Sequence, residues 1–231
     1  MTLVAIDPGH AKSTAGKRSP DGSLLEYEFN RSVAKRLSSH LDRHGVKTMF
    51  TTFTETNDLG RTERCNRANE AGADLFISIH ANALGNGSQW MSAHGWEVYC
   101  YKFGTSAEKL AKKIQAASIP YLGIRDRGVK IADFTVLLKS HMPAVLIEHG
   151  FYDNKEECEL LKTDAFREKC AIADAKGVLA YLGIEWKEPV EAKKLYRVQC
   201  GAFSVKANAE KRLKEVKAAG FEDAFITESE K

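Results

Sequence analysis

Three apolar stretches of the chain each end on a residue that can take part in catalysis. LVAIDPGH ends at His10, LFISIHAN contains His80, and AVLIEHGF contains Glu148. Short apolar runs bounded by polar residues or glycine are typical of buried strands. In parallel sheets, ligands bind beyond the carboxyl ends of the strands, where side chains at equivalent positions become neighbours. We therefore predict that His10, His80 and Glu148 lie close together.

A fourth candidate, Glu26, stands at the start of a predicted helix. Its helical stripe also carries Val33 and Leu37 and should face the sheet, whereas Glu28 faces solvent. Two histidines and a carboxylate, with one position left for water, are the ligand set of a catalytic zinc ion.

These positions give each of the four residues a candidate role. We assign His10, Glu26 and His80 as candidate zinc ligands. Glu148 is the candidate general base, which takes a proton from water and returns it to a leaving amine.

Each of these residues also has a simpler structural interpretation. A single histidine at a strand end is usually structural or exposed, and a helix N-terminus electrostatically favours a carboxylate such as Glu26. Glu148 is harder to explain in this way, because a carboxylate that follows four apolar strand residues is costly to bury unpaired. The combination is therefore more specific than any one of its members.

The elements that must position these residues alternate along the chain. Predicted strands cover 3–7, 46–52, 74–80, 96–101, 136–138 and 144–150. Predicted helices cover 26–44, 56–72 with Asp58 as the start signal, 105–119 with a Thr105/Glu108 capping box, and most of 153–183. This pattern predicts an α/β fold: a mostly parallel twisted sheet with helices on both faces, plus a small C-terminal βαβ unit.

Composition limits the possible classes of function. The 231 residues are 43% hydrophobic and 28% charged, with a net charge of +3. This charge is too small to indicate nucleic-acid binding, and no apolar run approaches the ~20 residues that span a membrane. The five scattered cysteines are typical of reduced thiols.

Five segments carry a resemblance to a known enzyme family. IDPGH, EYEFN, ANEAGADLFISIHAN, RGVK and MPAVLIEHGFYDN follow one another in the order and spacing of that family. Over about residues 1–184 the chain resembles zinc-dependent N-acetylmuramoyl-L-alanine amidases of phage endolysins and bacterial autolysins. His149 departs from the pattern, since the family usually has a small or hydroxylic residue there.

The resemblance implies a substrate and a role for each candidate residue. His10, Glu26 and His80 match the zinc-ligand positions, and Glu148 matches the catalytic glutamate. The bond cut would be the amide between the lactyl group of N-acetylmuramic acid and L-alanine in peptidoglycan. No signal peptide is apparent, so we expect synthesis in the cytoplasm and action on the cell wall after release, from the host cytoplasm if the protein is phage-encoded.

The C-terminal part is predicted to form a separate small unit. We predict a catalytic domain over 1–184, a charged linker over 185–194 and a strand–helix–strand unit over 195–231, with Ser204 as the helix N-cap. YRVQCGAFSVKANAEKRLKEVKAAGF resembles the first half of a SPOR domain, a peptidoglycan-binding module. This half module either binds the wall, completes itself in a homodimer, or serves as a packing arm.

Two other functions compete with the amidase. One is a zinc peptidase that cuts the peptide stem of peptidoglycan, and the other is a wall-binding protein without catalysis. A serine or cysteine hydrolase is disfavoured because the sequence lacks a GxSxG motif. Among further residues, Arg127 and Lys130 are candidates for contact with peptide-stem carboxylates, while Arg61 and Arg64 suit structural ion pairs.

Overall fold

The computed structural model describes residues 2–54, 56–188 and 198–228. The chain divides into two compact units, Met1–Lys187 and Glu188–Lys231. The strands of the first unit are β1 Leu3–Pro8, β2 Lys47–Phe50, β3 Leu75–Asn82, β4 Trp96–Cys100, β5 Asp126–Ile131 and β6 Ala144–Phe151. Its helices are α1 Glu26–Arg43, α2 Arg61–Glu70, α3 Ser106–Leu122, α4 Thr135–Leu138, α5 Lys155–Lys162 and α6 Asp164–Leu182.

The six strands form one sheet in the order β2-β1-β3-β6-β4-β5. All neighbouring strands run parallel except β4 and β6, which are antiparallel. The central strands are buried on both faces, so their sequences are almost continuously apolar, as in Val4, Ala5 and Ile6 of β1. The predicted α/β class with a mostly parallel sheet is confirmed.

Helices cover both faces of the sheet and create two cores. On one face, Leu37 of α1, Ile114 of α3 and Val178 of α6 belong to a large core with Ile77 of β3. On the other face, α2 and α4 cover a smaller core around Phe76. Alternate residues of each strand therefore point to different cores, and the polar residues described below follow this alternation.

Two local predictions are wrong. Residues 136–138 form helix α4, not a strand, because a short apolar run has no period that distinguishes the two. The second helix begins at Arg61 with Gly60 as its N-cap, so Asp58 is not a start signal. Strand β5, within RDRGVKI, was not predicted, since its alternation of polar and apolar residues is weak.

The second unit contains helix α7, Lys206–Ala218, whose N-cap is Val205 and not Ser204. Part of the first predicted strand lies outside the described residues. Its described portion, 198–203, and the second predicted strand, 221–227, have no strand assignment. A strand needs a hydrogen-bonded neighbour, and these two described segments do not pair with each other. None of the helices in the described parts of the chain has the length and apolar character needed to cross a membrane.

The crossing of α6 and α3 depends on Gly177. A Cβ atom at Gly177 would lie 2.4 Å from Cα of Ile114, which is backbone and cannot move aside cheaply. We expect Gly177→Ala to lower the free energy of unfolding by about 1–3 kcal/mol, although alanine is normally the better helix former. Urea unfolding measures this change. Ala180→Gly, on the exposed face of α6, is the control, because it measures the difference in helix propensity between alanine and glycine alone. A stabilised Gly177→Ala protein would contradict the close approach.

Candidate functional site

The four candidate residues come together at one end of the sheet. His10 lies two residues beyond β1, and Glu26 is the first residue of α1. His80 and Glu148 are register partners on the adjacent strands β3 and β6. The structure therefore brings together all four side chains that the sequence singled out.

His10, Glu26 and His80 form a compact cluster of donor atoms. Nδ1 of His80 lies 2.9 Å from Oε1 of Glu26, and Nε2 of His10 lies 3.4 Å from Oε2 of Glu26. The two imidazole rings meet edge to face with centroids 5.0 Å apart. One donor atom from each residue lies within 4.8 Å of the others, so a single metal ion can contact all three.

The turn that carries His10 has an unusual backbone. His10 has φ of 60°, a left-handed conformation that is uncommon outside glycine. The turn is fixed from both sides, because Nδ2 of Asn30 donates to the Gly9 carbonyl at 3.0 Å and Nη1 of Arg31 donates to the His10 carbonyl at 2.9 Å. Gly9 itself lies against the His80 ring, where a Cβ atom would be 2.1 Å from Cε1.

The electrostatics of the cluster suit a cation. Glu26 is fully buried, and burial raises its pKa, but the hydrogen bond from His80 and the charge of His10 outweigh burial and hold the pKa at about 2. Burial lowers the pKa of His10 to about 4. Near neutral pH, Glu26 is therefore ionised and His10 is neutral, which are the protonation states that metal ligands require.

One oxygen of Glu26 has no hydrogen-bond donor among the described residues. Oε2 is shielded from solvent, and its nearest basic neighbours are Nε2 of His10 at 3.4 Å and Nζ of Lys17 at 3.8 Å. Buried polar atoms without partners are rare and commonly indicate a ligand or ion. Two histidines and a glutamate are one of the ligand sets of catalytic zinc, so these residues fit the metal.

Glu148 lies beside this cluster. The residue is half-buried, and its Oε2 is shielded from solvent with no hydrogen-bond donor in the described chain. Burial, and then the negative charge of Glu26, raise the pKa of Glu148 well above its usual value. A raised pKa makes a carboxylate a stronger base, which suits a group that must take up a proton and pass it on.

An ion-pair network centred on the buried Arg64 supports the His10 turn. Nη1 of Arg64 lies 2.8 Å from Oδ1 of Asp7 and donates to the Pro8 carbonyl at 2.9 Å. Nη2 of Arg64 lies 2.7 Å from Asp58, whose other oxygen is 3.7 Å from Nδ1 of His10. Arg64 is thus a structural ion-pair residue, as the sequence indicated, while the role of Asp58 beside His10 was missed.

His149 and Asp174 form a second feature that sequence reasoning missed. Both are fully buried, with Nε2 of His149 2.9 Å from Oδ2 of Asp174. Nδ1 of His149 lies 3.1 Å from the carbonyl oxygen of His80 and so links β6 to β3 behind the His10/Glu26/His80 cluster. The only sequence signal was the unusual histidine after Glu148, because Asp174 lies in the middle of a helix.

Arg127 and Lys130, the candidates for carboxylate contact, both pair with Glu97. Asn82 donates from Nδ2 to the same carboxylate at 2.6 Å. Tyr99 donates to it at 2.7 Å. The sequence did not predict Glu97, because its position in WEVYC resembles an ordinary outward-facing polar residue of a strand.

A mostly parallel α/β sheet with a His/Glu/His cluster and a half-buried glutamate at its carboxyl edge is an arrangement that suits a metal-dependent hydrolase. Comparisons with known proteins agree. The family profile described as N-acetylmuramoyl-L-alanine amidase matches residues 4–180, and that of the SPOR domain matches residues 192–231. The chain belongs to the N-acetylmuramoyl-L-alanine amidase family.

Individual relatives are similar over most of their length. The chain is 34% identical to the N-acetylmuramoyl-L-alanine amidase CwlM of Bacillus licheniformis, covering 98% of this chain and 85% of the relative. It is 34% identical to the endolysin of Bacillus phage SPP1, covering 83% of this chain and 70% of the endolysin. The solved catalytic domain of CwlV, an amidase from Bacillus (Paenibacillus) polymyxa var. colistinus, superposes with a TM-score of 0.74 at 28% identity, covering 80% of this chain and 100% of the other.

The close approach of Gly9 to His80 provides a test of the site. We expect Gly9→Ala to push the His80 ring away from Glu26 and to weaken zinc binding at least tenfold, since metal sites tolerate little displacement. Competition with a chromogenic chelator measures the affinity. Gly85→Ala is the control, because its Cβ would have only ordinary contacts of 3.7 Å or more. Equal zinc affinity in the two variants would contradict the assignment of His80 as a ligand.

Proposed function

We propose that the protein hydrolyses the amide bond between N-acetylmuramic acid and L-alanine in peptidoglycan, with zinc held by His10, Glu26 and His80. The observation that carries this proposal is the buried, ionised Glu26 between two histidines, with one oxygen lacking a donor. Membership of the amidase family and the names of its relatives support the choice of bond.

The roles follow from chemistry and position. When bound, zinc supplies Lewis-acid chemistry: it polarises a carbonyl group and makes water acidic near neutral pH. Glu148 then accepts a proton from the attacking water on its carboxylate and delivers it to the nitrogen of L-alanine as the amide breaks. Its shielded carboxylate and raised pKa suit both halves of that transfer.

The protein's own residues also preorganise the reaction. The network of Arg64, Asp7 and Asp58 fixes the turn before His10, and the contact of His149 with the His80 carbonyl fixes β3 against β6. Rigid support of this kind holds reacting groups within the small tolerance that catalysis allows.

Replacing Glu148 tests both the bond and the base. We expect Glu148→Gln to lower the rate of wall hydrolysis by about 10²–10⁴-fold, because the amide cannot take the proton, while zinc stays bound. Digestion of purified walls, with new L-alanine amino termini counted against new reducing sugar ends, measures the reaction. Bound zinc is quantified in the same samples.

The control is Glu156→Gln, an exposed glutamate in the first turn of α5. It should retain full activity. If a different amino terminus appears in the wild-type digest, a peptidase acting on the stem replaces the amidase. If Glu148→Gln retains activity, Glu148 is not the proton carrier.

For the second unit we propose binding to peptidoglycan. The match of residues 192–231 to the SPOR profile supports this proposal. Association of two copies through this unit stays a prediction. Since the substrate is a wall polymer, we further propose that the protein acts on the cell wall after release from the cytoplasm.

Removal of the second unit separates binding from catalysis. A chain ending at Lys187 should cleave a soluble muramoyl peptide at the rate of the full chain, because all four site residues lie in the first unit. We expect it to sediment poorly with insoluble walls and to digest them more slowly. Equal sedimentation of the two chains would exclude wall binding by residues 188–231.

A further inference from the structure

The polar residues of the site continue across the sheet beyond Glu148. His80 of β3 pairs in register with Glu148 of β6, and Glu148 pairs in register with Glu97 of β4. Side chains of register partners project from the same face of a sheet. The three residues therefore form one row, with the metal cluster at one end and Glu97 at the other.

Four side chains donate hydrogen bonds to the carboxylate of Glu97. It is 2% exposed and accepts hydrogen bonds from Asn82, Tyr99 and Nε of Arg127, together with a short one from Nζ of Lys130. The two cations belong to strand β5. The amide oxygen of Asn82, Oδ1, accepts a hydrogen bond from the neighbouring Ala83 N–H at 2.8 Å. The amide of Asn82 is therefore fixed in place.

Both cations retain donors for a further partner. Only one of the three Nζ protons of Lys130 is needed for Glu97. Arg127 contacts Glu97 through Nε and the His94 carbonyl through Nη1 at 3.5 Å, so its Nη2 has no partner among the described residues. Their side chains are 35% and 26% exposed, respectively. They are nevertheless held in position, since Lys130 lies over the Tyr99 ring and Arg127 over the Phe151 ring.

The position of these cations relative to Glu148 indicates which part of the substrate they meet. In the proposed function, Glu148 delivers its proton to the nitrogen of L-alanine, so the peptide leaves from the Glu148 side of the metal cluster. Continuing in that direction along the row leads to β4 and β5. Lys130 pairs in register with Tyr99, which in turn pairs with Leu146. Leu146 lines the same pocket as His10, His80 and Glu148.

We propose that Lys130 and Arg127, held by Glu97, form a subsite that binds a free carboxylate on the peptide half of the substrate. This inference rests on the proposed amidase function and adds to it a preference between substrates. Peptides with a free carboxylate next to L-alanine are good substrates, and peptides with that carboxylate converted to a carboxamide are poorer ones. Glu97 is a positioning residue, because it acts through the two cations.

The test uses two soluble muramoyl tripeptides whose second residue is joined to the third through its side-chain carboxyl group. They differ only at the α-carbon of that second residue, which carries a free carboxylate in one peptide and a carboxamide in the other. For the wild-type full chain with zinc, we expect kcat/KM to favour the carboxylate by about ten- to a hundredfold, the effect of one or two charge-assisted hydrogen bonds. Lys130→Gln and Arg127→Gln should each reduce this ratio, mainly through KM. Arg127→Lys should retain part of it.

Controls make every outcome informative. Lys112→Gln, which removes an exposed lysine paired with Glu108 on α3, should leave the ratio unchanged. Equal losses on both substrates in the Lys130 and Arg127 variants would reduce their role to structure and overturn the subsite. A wild-type enzyme without a preference overturns it even if the variants fail to fold. Hydrolysis of neither substrate would instead contradict the proposed function itself.

Discussion

The burial of one negative charge, on Glu26, is the constraint on which the rest of the site depends. An ionised carboxylate in a protein interior is strongly unfavourable unless cations and hydrogen bonds surround it. Here the compensation comes from the imidazoles of His10 and His80 and the ammonium of Lys17. Because burial lowers the pKa of His10, this imidazole alone supplies little positive charge. A divalent cation between the three residues would resolve this imbalance, and the buried apolar residues of α1 hold Glu26 away from solvent.

The strand register of the sheet places two further carboxylates next to this cluster. Parallel register sets His80 beside Glu148, and the antiparallel pairing of β4 sets Glu97 beside Glu148 on the same face. Three carboxylates in such proximity would repel one another if each stayed ionised without a partner. They differ because their surroundings differ: Glu26 faces the histidines, Glu97 faces two cations, and Glu148 has neither. Glu148 is therefore the carboxylate whose pKa rises, which is the property a proton carrier needs.

Much of this arrangement was predictable from the sequence, for identifiable reasons. His10, His80 and Glu148 each follow an apolar strand, and strand ends in a parallel sheet meet at one edge. The helical stripe of α1 selected Glu26 over Glu28. By contrast, no local period shows that Glu97 and Asp174 are buried. The contacts of Asp58 with His10, of Glu97 with the β5 cations and of Asp174 with His149 each join residues that are distant in sequence. The misassigned segment 136–138 also lacks a decisive local signal, and its short helix α4 packs against both α2 and β6.

The three buried polar networks around the site lie close to the carboxyl edge of the sheet, while the two apolar cores cover its faces. The Arg64 network, the His149–Asp174 pair and the Glu97 cluster each place charges where apolar residues of similar volume would often stabilise the fold equally well or better. Each also ends at a backbone or side chain of the site: the His10 turn, the His80 carbonyl and the β5 cations, respectively. Together with the left-handed backbone of His10, this distribution indicates that stability was given up for a rigid, preorganised site. The apolar cores therefore stabilise the fold, and the three charged networks fix the geometry of the site.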